Sequence, residues 1–136
     1  MATEAFESIV EDFEFLDDWE DRYAMVIDMG KRLEGLDEAL KVPATKVDGC
    51  ASQVWLVARP ADGVFHFAGD SDGMIVKGVI AVLEALYNSV PLSEVGAIDA
   101  QGELGRLKLE EHLSGQRTNG LRAMVERIRK LAAEAA

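Results

Sequence analysis

Cys50 is the residue of this chain best suited to covalent chemistry. It lies in the stretch KVDGCASQVWLVAR, residues 46–59, and is the single cysteine of 136 residues, set after a glycine and ahead of an apolar run. A lone thiol has no partner for an internal disulfide, and it offers too few ligands for a cysteine-based zinc or iron–sulfur site. Two readings of Cys50 then stay open. Free cysteine is among the most buried residue types, and a buried thiol is a small, inert hydrophobe. An accessible thiolate is instead a nucleophile, whose rate in sulfur exchange depends on its ionised fraction, its nucleophilicity and its access.

Other chemical constellations are thin. The two histidines, His66 and His112, are far apart in sequence, and His66 alternates with Phe65 and Phe67, which puts it on the opposite strand face from them. No metal is expected from these residues. The acids of GDSDG, residues 69–73, resemble a calcium loop but lack the further oxygen ligands and the terminal glutamate such a loop needs. There is no glycine-rich phosphate-binding fingerprint and no internal repeat.

The formal net charge of −11 argues against a nucleic-acid surface, which requires clustered Lys and Arg. Charge is also unevenly spread: residues 1–40 hold 13 acids and 3 bases, while Arg117, Arg122, Arg127, Arg129 and Lys130 gather near the end. Such polarity can steer a partner of matching charge. No basic segment followed by an apolar one opens the sequence, and no run approaches the ~20 apolar residues of a membrane span. Together with the unpaired cysteine, this reads as a soluble protein of the reducing cytoplasm, with no membrane partner.

The elements that would position Cys50 follow from periodicity. Phe6, Ile9, Val10 and Phe13 recur at helical spacing behind Thr3, a candidate N-cap. A second helix begins near Asp17 and Asp18 and carries Trp19, Tyr23, Val26, Ile27, Gly30 and Leu33 on one face, with Gly35 to stop it. After Pro43 and Cys50, SQVWLVAR reads as a strand, PADG as a turn and VFHFAG as the returning strand of a hairpin. Apolar residues on both faces of the first strand predict that it is central or covered. Asp70 and Ser71 are candidate N-caps for MIVKGVIAVLEALY, a helix apolar around most of its circumference and so deeply packed. PLSEVGAI predicts a helical turn, LGRLKLEEHL a short connector, and QRTNGLRAMVERIRKLAAEA a final amphipathic helix. The order predicts one α+β domain over residues 1–136: a small antiparallel sheet, a hairpin with room for a third strand, and helices packed on one side.

VDGCASQVWLVAR, then GDSDGMIVKGVIAVLEALY, then HLSGQRTNGLRAM, in this order and joined by WEDRY and GKRL of the second helix, resemble the SufE family. These are sulfur-acceptor proteins of cysteine desulfurases in iron–sulfur cluster assembly. The resemblance covers nearly the whole chain and implies a SufE/IscU-like fold. It implies that Cys50, in the G-C-x-S-x-V-W motif, accepts sulfur as a persulfide from a SufS-like desulfurase, stimulates that enzyme and passes sulfur to a SufBCD-like scaffold complex. The chain would be an activator rather than a stand-alone enzyme, and would hold no cofactor, since pyridoxal phosphate belongs to the desulfurase. The resemblance also leaves room for a homodimer. Departures from the family pattern are Ala51 where Gln is common, Thr45 where Asn is frequent, Gly115 for a usual Pro and Leu104 for a large aromatic.

Given that resemblance, residues 45–52, the GDSDG turn and HLSGQR should form the docking face, with Lys46, Gly49, Ser52, Asp70 and Arg117 binding the partner or supporting the loop. The negative field of the protein opposes the thiolate, as would Asp48, so Lys46, Arg117 or backbone N–H groups from Gly49 to Ser52 are expected to compensate. A lone cysteine keeps the sulfur, whereas a second thiol would expel it as sulfide. The resting thiol is expected to be partly shielded, with docking moving the loop. Three other functions stay open: a cluster scaffold, a non-catalytic adaptor with a structural cysteine, and a carrier to another sulfur pathway such as tRNA modification.

Overall fold

The computed structural model describes residues 2–50 and 52–135, the side chain of Glu110 excepted. The first helix, α1 (Glu4–Phe15), starts where the Thr3 hydroxyl accepts the Phe6 N–H at 3.1 Å. The same hydroxyl donates to the Ala85 carbonyl, which fastens the start of α1 to a later helix. Phe6, Ile9, Val10 and Phe13 are buried, as the spacing predicts. Helix α2 (Trp19–Lys31) is capped by Asp18, whose carboxylate accepts the Glu20 N–H at 3.0 Å.

Helix α3 (Met74–Tyr87) is the hub. It packs against α1, α2, the sheet and the C-terminal helix, and at its crossing with α2 Gly30 and Gly78 leave the two backbones nearly in contact. Eight of its residues are buried, among them Ile80 and Leu83 with no exposed surface. Each such aliphatic side chain contributes roughly 1.5–3 kcal/mol by leaving water.

Strand β1 (Val54–Ala58) pairs antiparallel with Phe67–Ser71, in the register Val54 opposite Ser71 through Ala58 opposite Phe67. The expected hairpin is therefore present, but its returning strand is split. Val64–Phe65 forms β2, which leaves β1 and pairs with Val90–Pro91, so Phe67–Ser71 is β3 and Val90–Pro91 is β4. The break falls at His66. Its carbonyl accepts the Arg59 N–H, and the Asn88 side chain occupies both the Phe67 N–H and C=O at 3.0 and 3.1 Å, sealing the junction between the small sheets. β3 also runs further than the sequence suggests: Asp70 and Ser71 belong to it and do not cap α3. Gly73 holds the N-cap position without a side-chain bond, because the strand register has already committed both polar residues.

The other edge of β1 meets residues 45–47. Val47 N–H donates to Val54 O at 2.8 Å and Leu56 N–H to Thr45 O at 2.9 Å, forming a bridge between Lys46 and Trp55. β1 is thus central, and the Lys41 ammonium covers the half-exposed ring of Trp55. Short helices α4 (Leu92–Val95), α5 (Ala100–Gly105) and α6 (Leu109–His112) lead to α7 (Gly115–Ala135), which lies against β1, α3 and α4. Leu104, one of the departures from the family pattern, is 3% exposed in the core. Among the described residues no helix is long and apolar enough to cross a membrane.

Candidate functional site

The bridge between residues 45–47 and β1 closes the base of a loop, and Cys50 sits near its tip. Gly49 has φ of +91°, a left-handed conformation that disfavours any side chain. That turn aims the half-buried Cys50 thiol inward, toward α7, where Sγ lies 3.6 Å from the Gly120 carbonyl oxygen. Gly120 gives the sulfur room there. A methyl group at this position would stand 3.3 Å from Sγ and 3.5 Å from the Cys50 Cβ.

A pocket of about 290 Å³ adjoins the thiol. Ile75, Val76, Val79 and Met124 give it an apolar floor; Ser52, Ser114, Gln116 and Arg117 give it a polar rim. Three stretches distant in sequence thus meet around one sulfur: the cysteine loop, the start of α3 after GDSDG, and the HLSGQR segment opening α7. Gly73 leaves room for the Ser52 hydroxyl, and the Asp72 carboxylate accepts the Gln53 N–H at 3.0 Å, so the descending arm of the loop is tied to the turn before α3. Ser114 Oγ accepts the Arg117 N–H at 3.2 Å, which orders the start of α7 beside the pocket.

The electrostatics depart from expectation. Burial first, and the Asp48 carboxylate second, push the Cys50 thiol above its ordinary pKa. The positive compensation expected from Lys46 or Arg117 does not prevail. The Lys46 side chain is exposed, the residue stands opposite Trp55 between the Thr45 and Val47 hydrogen bonds, and Arg117 lies at the rim of the pocket. Both influences on the pKa favour the protonated thiol, whose sulfur faces the Gly120 carbonyl.

Asp70 stands apart from this pocket. It is 6% exposed, and its carboxylate faces residues 36–41, accepting the N–H of Leu36 at 3.2 Å and of Ser71 at 2.8 Å. Lys41 Nζ lies 3.1 Å away and Lys77 Nζ 3.6 Å. Burial pushes its carboxyl up, but the Leu36 and Ser71 N–H groups and Lys41 outweigh this and hold it below the usual range. Its contacts fix the segment leading into the cysteine loop: the Thr45 hydroxyl donates to Leu40 O at 2.6 Å. Ala51 lies outside the described residues. Two positions absent from the sequence expectations complete the site: Gly120, and Arg127, whose Nη2 donates to Lys46 O at 2.9 Å. Only their distance in the chain hid them, since the contacts span 70 and 81 residues.

Residues 7–132 match the SufE family, described as an Fe–S metabolism associated domain. The chain belongs to the SufE family. An uncharacterized SufE-like protein of Rhizobium etli is 49% identical over 130 residues, covering 93% of this chain and 88% of the relative. Another, of Rhizobium meliloti, is 45% identical over 129 residues and covers 92% of each. The solution structure of a hypothetical protein of Thermus thermophilus superposes with a TM-score of 0.80 over 99% of this chain and 98% of its own, at 18% identity, a likeness of fold. SufE membership associates the chain with Fe–S metabolism. Of the stretches that carried the resemblance, the cysteine loop, the start of α3 and the opening of α7 contribute residues around Cys50; WEDRY and GKRL do not.

Proposed function

We propose that this SufE-family protein is a persulfide carrier in the cytoplasm, taking sulfane sulfur from a cysteine desulfurase onto Cys50, stimulating that enzyme and handing the sulfur on for iron–sulfur cluster assembly. The observation that carries the reading is a single, half-buried thiol at a loop tip with an adjoining pocket and no second cysteine in the sequence. Among the described residues no three His, Cys, Asp or Glu side chains are grouped to hold a metal ion, which favours a carrier over a cluster scaffold.

The step balances without an external oxidant or reductant. The Cys50 thiolate attacks the outer sulfur of the desulfurase persulfide; a new S–S bond forms on Cys50, the old one breaks, and its electron pair leaves with the desulfurase cysteine as thiolate. The proton lost by Cys50 goes to solvent or to that leaving sulfur. Because burial disfavours the thiolate, the loop must present Cys50 to the partner before the attack, and docking supplies that movement. The exposure of Arg117 at the pocket rim supports its assignment as a partner contact.

Mass spectrometry after incubation with a desulfurase and cysteine tests the reading. Wild type should gain sulfur on Cys50, and Cys50→Ser, which keeps the size but not the nucleophile, should gain none while still binding the desulfurase. Full stimulation of sulfide release by Cys50→Ser under limiting reductant would reject the carrier role.

A further inference from the structure

The ascending arm of the cysteine loop lies along one face of α7. Cys50 abuts Gly120, a side chain at Gly49 would stand 3.5 Å from the Ala123 Cβ, and the Lys46 carbonyl accepts the Arg127 guanidinium. Positions 120, 123 and 127 share a helix face, since three, four and seven residues return to the same side. Two of the three are small and allow close approach without choosing a register. The third makes a directional, charge-assisted bond.

We infer that Arg127 is a positioning residue for the thiol: by holding the Lys46 carbonyl it sets the register of the loop on α7 and delivers Cys50 to the Gly120 carbonyl. The hydrogen bonds of the stem explain why this falls to Arg127. Thr45 O and Val47 N–H face β1, and Lys46 N–H turns to the Val42 and Pro43 carbonyls. Lys46 O is left pointing out from the strand edge, and Arg127 reaches it. The ties to β1 fix the stem on the sheet but say nothing of α7, which supplies the wall behind the thiol. On the far side of Cys50 the Gln53 N–H is held by the Asp72 carboxylate, so the loop is anchored on both sides of the thiol.

This inference rests on the carrier reading only for what the thiol is used for; its test needs no desulfurase, so the two can fail separately. The rate of iodoacetamide alkylation of Cys50 would be followed against pH in wild type, Arg127→Met, Arg127→Lys and, as a control for lost charge on the same helix, Lys130→Met. Loss of one such hydrogen bond should raise the alkylation rate of Arg127→Met about fivefold near neutral pH and move its pH midpoint down toward that of a free thiol. Arg127→Lys, which keeps a charged donor, should stay close to wild type, as should Lys130→Met. Should Arg127→Met fail to fold, Arg127→Gln, whose shorter side chain does not reach the carbonyl, is read in its place. An unchanged rate, an equal rise in the Lys130→Met control, or a midpoint that moves up, as removal of positive charge alone would cause, overturns the inference.

Discussion

Asp70 lies in β3 and Cys50 on the loop entering β1, and the molecule holds them in opposite ways. Asp70 is a buried charge with two backbone N–H donors and two ammonium groups around it: Leu36 and Lys41 draw residues 36–41 onto the sheet, Lys77 ties the sheet to α3, and the Ser71 N–H is a donor from within β3 itself. Cys50 is a neutral thiol with one long contact to a carbonyl, at a loop tip whose two arms are fastened elsewhere. A buried charge is tolerated only when it is fully partnered, so such a site has one geometry and resists displacement. A thiol loses little by leaving its pocket. The difference places firm support under the loop and few ties on the thiol, which is what the proposed carrier role would call for.

The sharpest way to break this contrast is at the stiff end. Asp70→Ala leaves Lys41 and the Leu36 N–H without their acceptor. We expect a loss of about 2–3 kcal/mol in urea unfolding at neutral pH, at the lower end for a broken buried pair because Lys77 is partly exposed. The pKa direction gives the pH dependence. Asp70 is held below its ordinary value, so its stabilisation is present at neutral pH and fades as pH falls through and below about pH 4, where the wild type and variant should converge. A wild-type margin undiminished in acid would show that the carboxylate charge is not what fixes this end.

At the free end the expected effects are on reactivity. Arg117→Ala should lower sulfur transfer several-fold at subsaturating protein while moving the Tm by no more than roughly 2 °C, since an exposed arginine contributes little to folding. Equal transfer by both proteins would remove Arg117 from the docking face. Gly120→Ala presses a methyl group to 3.3 Å from Sγ. The helix itself gains from the change by up to about 1 kcal/mol, and the loop, being free at its tip, can yield a few tenths of an ångström. Stability should therefore hold, and Cys50 should alkylate roughly threefold faster as it is pushed outward. A clear loss of stability with unaltered alkylation would show the tip to be as rigid as the Asp70 end. The wild-type thiol itself should alkylate more slowly than a cysteine in a short peptide, and its rate should change on adding a desulfurase that lacks its own active-site cysteine.

What could be read from the sequence divides along a similar line. Local patterns survived: Phe6, Ile9, Val10 and Phe13 gave α1 its buried face, Thr3 and Asp18 capped as their positions suggest, and Cys50 stood out because it is the only thiol. Polar residues near glycine misled, since Asp70 and Ser71 have the composition of a helix cap but the cross-strand register claims them for β3. The split at His66 was hidden because β2 finds its partner only after the whole of α3 has intervened. Gly120 and Arg127 look like ordinary positions of an amphipathic helix. Their meaning comes from a loop packed on that helix from the other half of the chain.

A third titratable group gives the smallest expected effect and separates the general cost of burial from the particular support at Asp70. Glu84 on α3 is half-buried; burial first, with Glu34 adding to it, pushes its carboxyl up to about 7, against opposing contributions from the Gly69 N–H and Arg59. Unlike Asp70, it has no direct ammonium partner among the described contacts. In the unfolded chain a glutamate ionises near its ordinary value, about 4.3, so between that pH and about 7 the folded state binds the extra proton and stability falls as pH rises. Above that range the penalty is constant; below it, the penalty is absent. Glu84→Gln, neutral at every pH, should therefore raise the Tm at pH 8, by roughly 2–4 °C once the linkage is discounted heavily for the solvent that reaches this half-buried group, and by nearly nothing at about pH 4.5. The Asp70 and Glu84 variants then have opposite signs at neutral pH, and each should lose its effect in acid. A Glu84→Gln protein no more stable than wild type at pH 8 would mean that Arg59 and the Gly69 N–H already support the carboxylate as fully as lysines support Asp70, and that the contrast between partnered and unpartnered charge does not extend to α3.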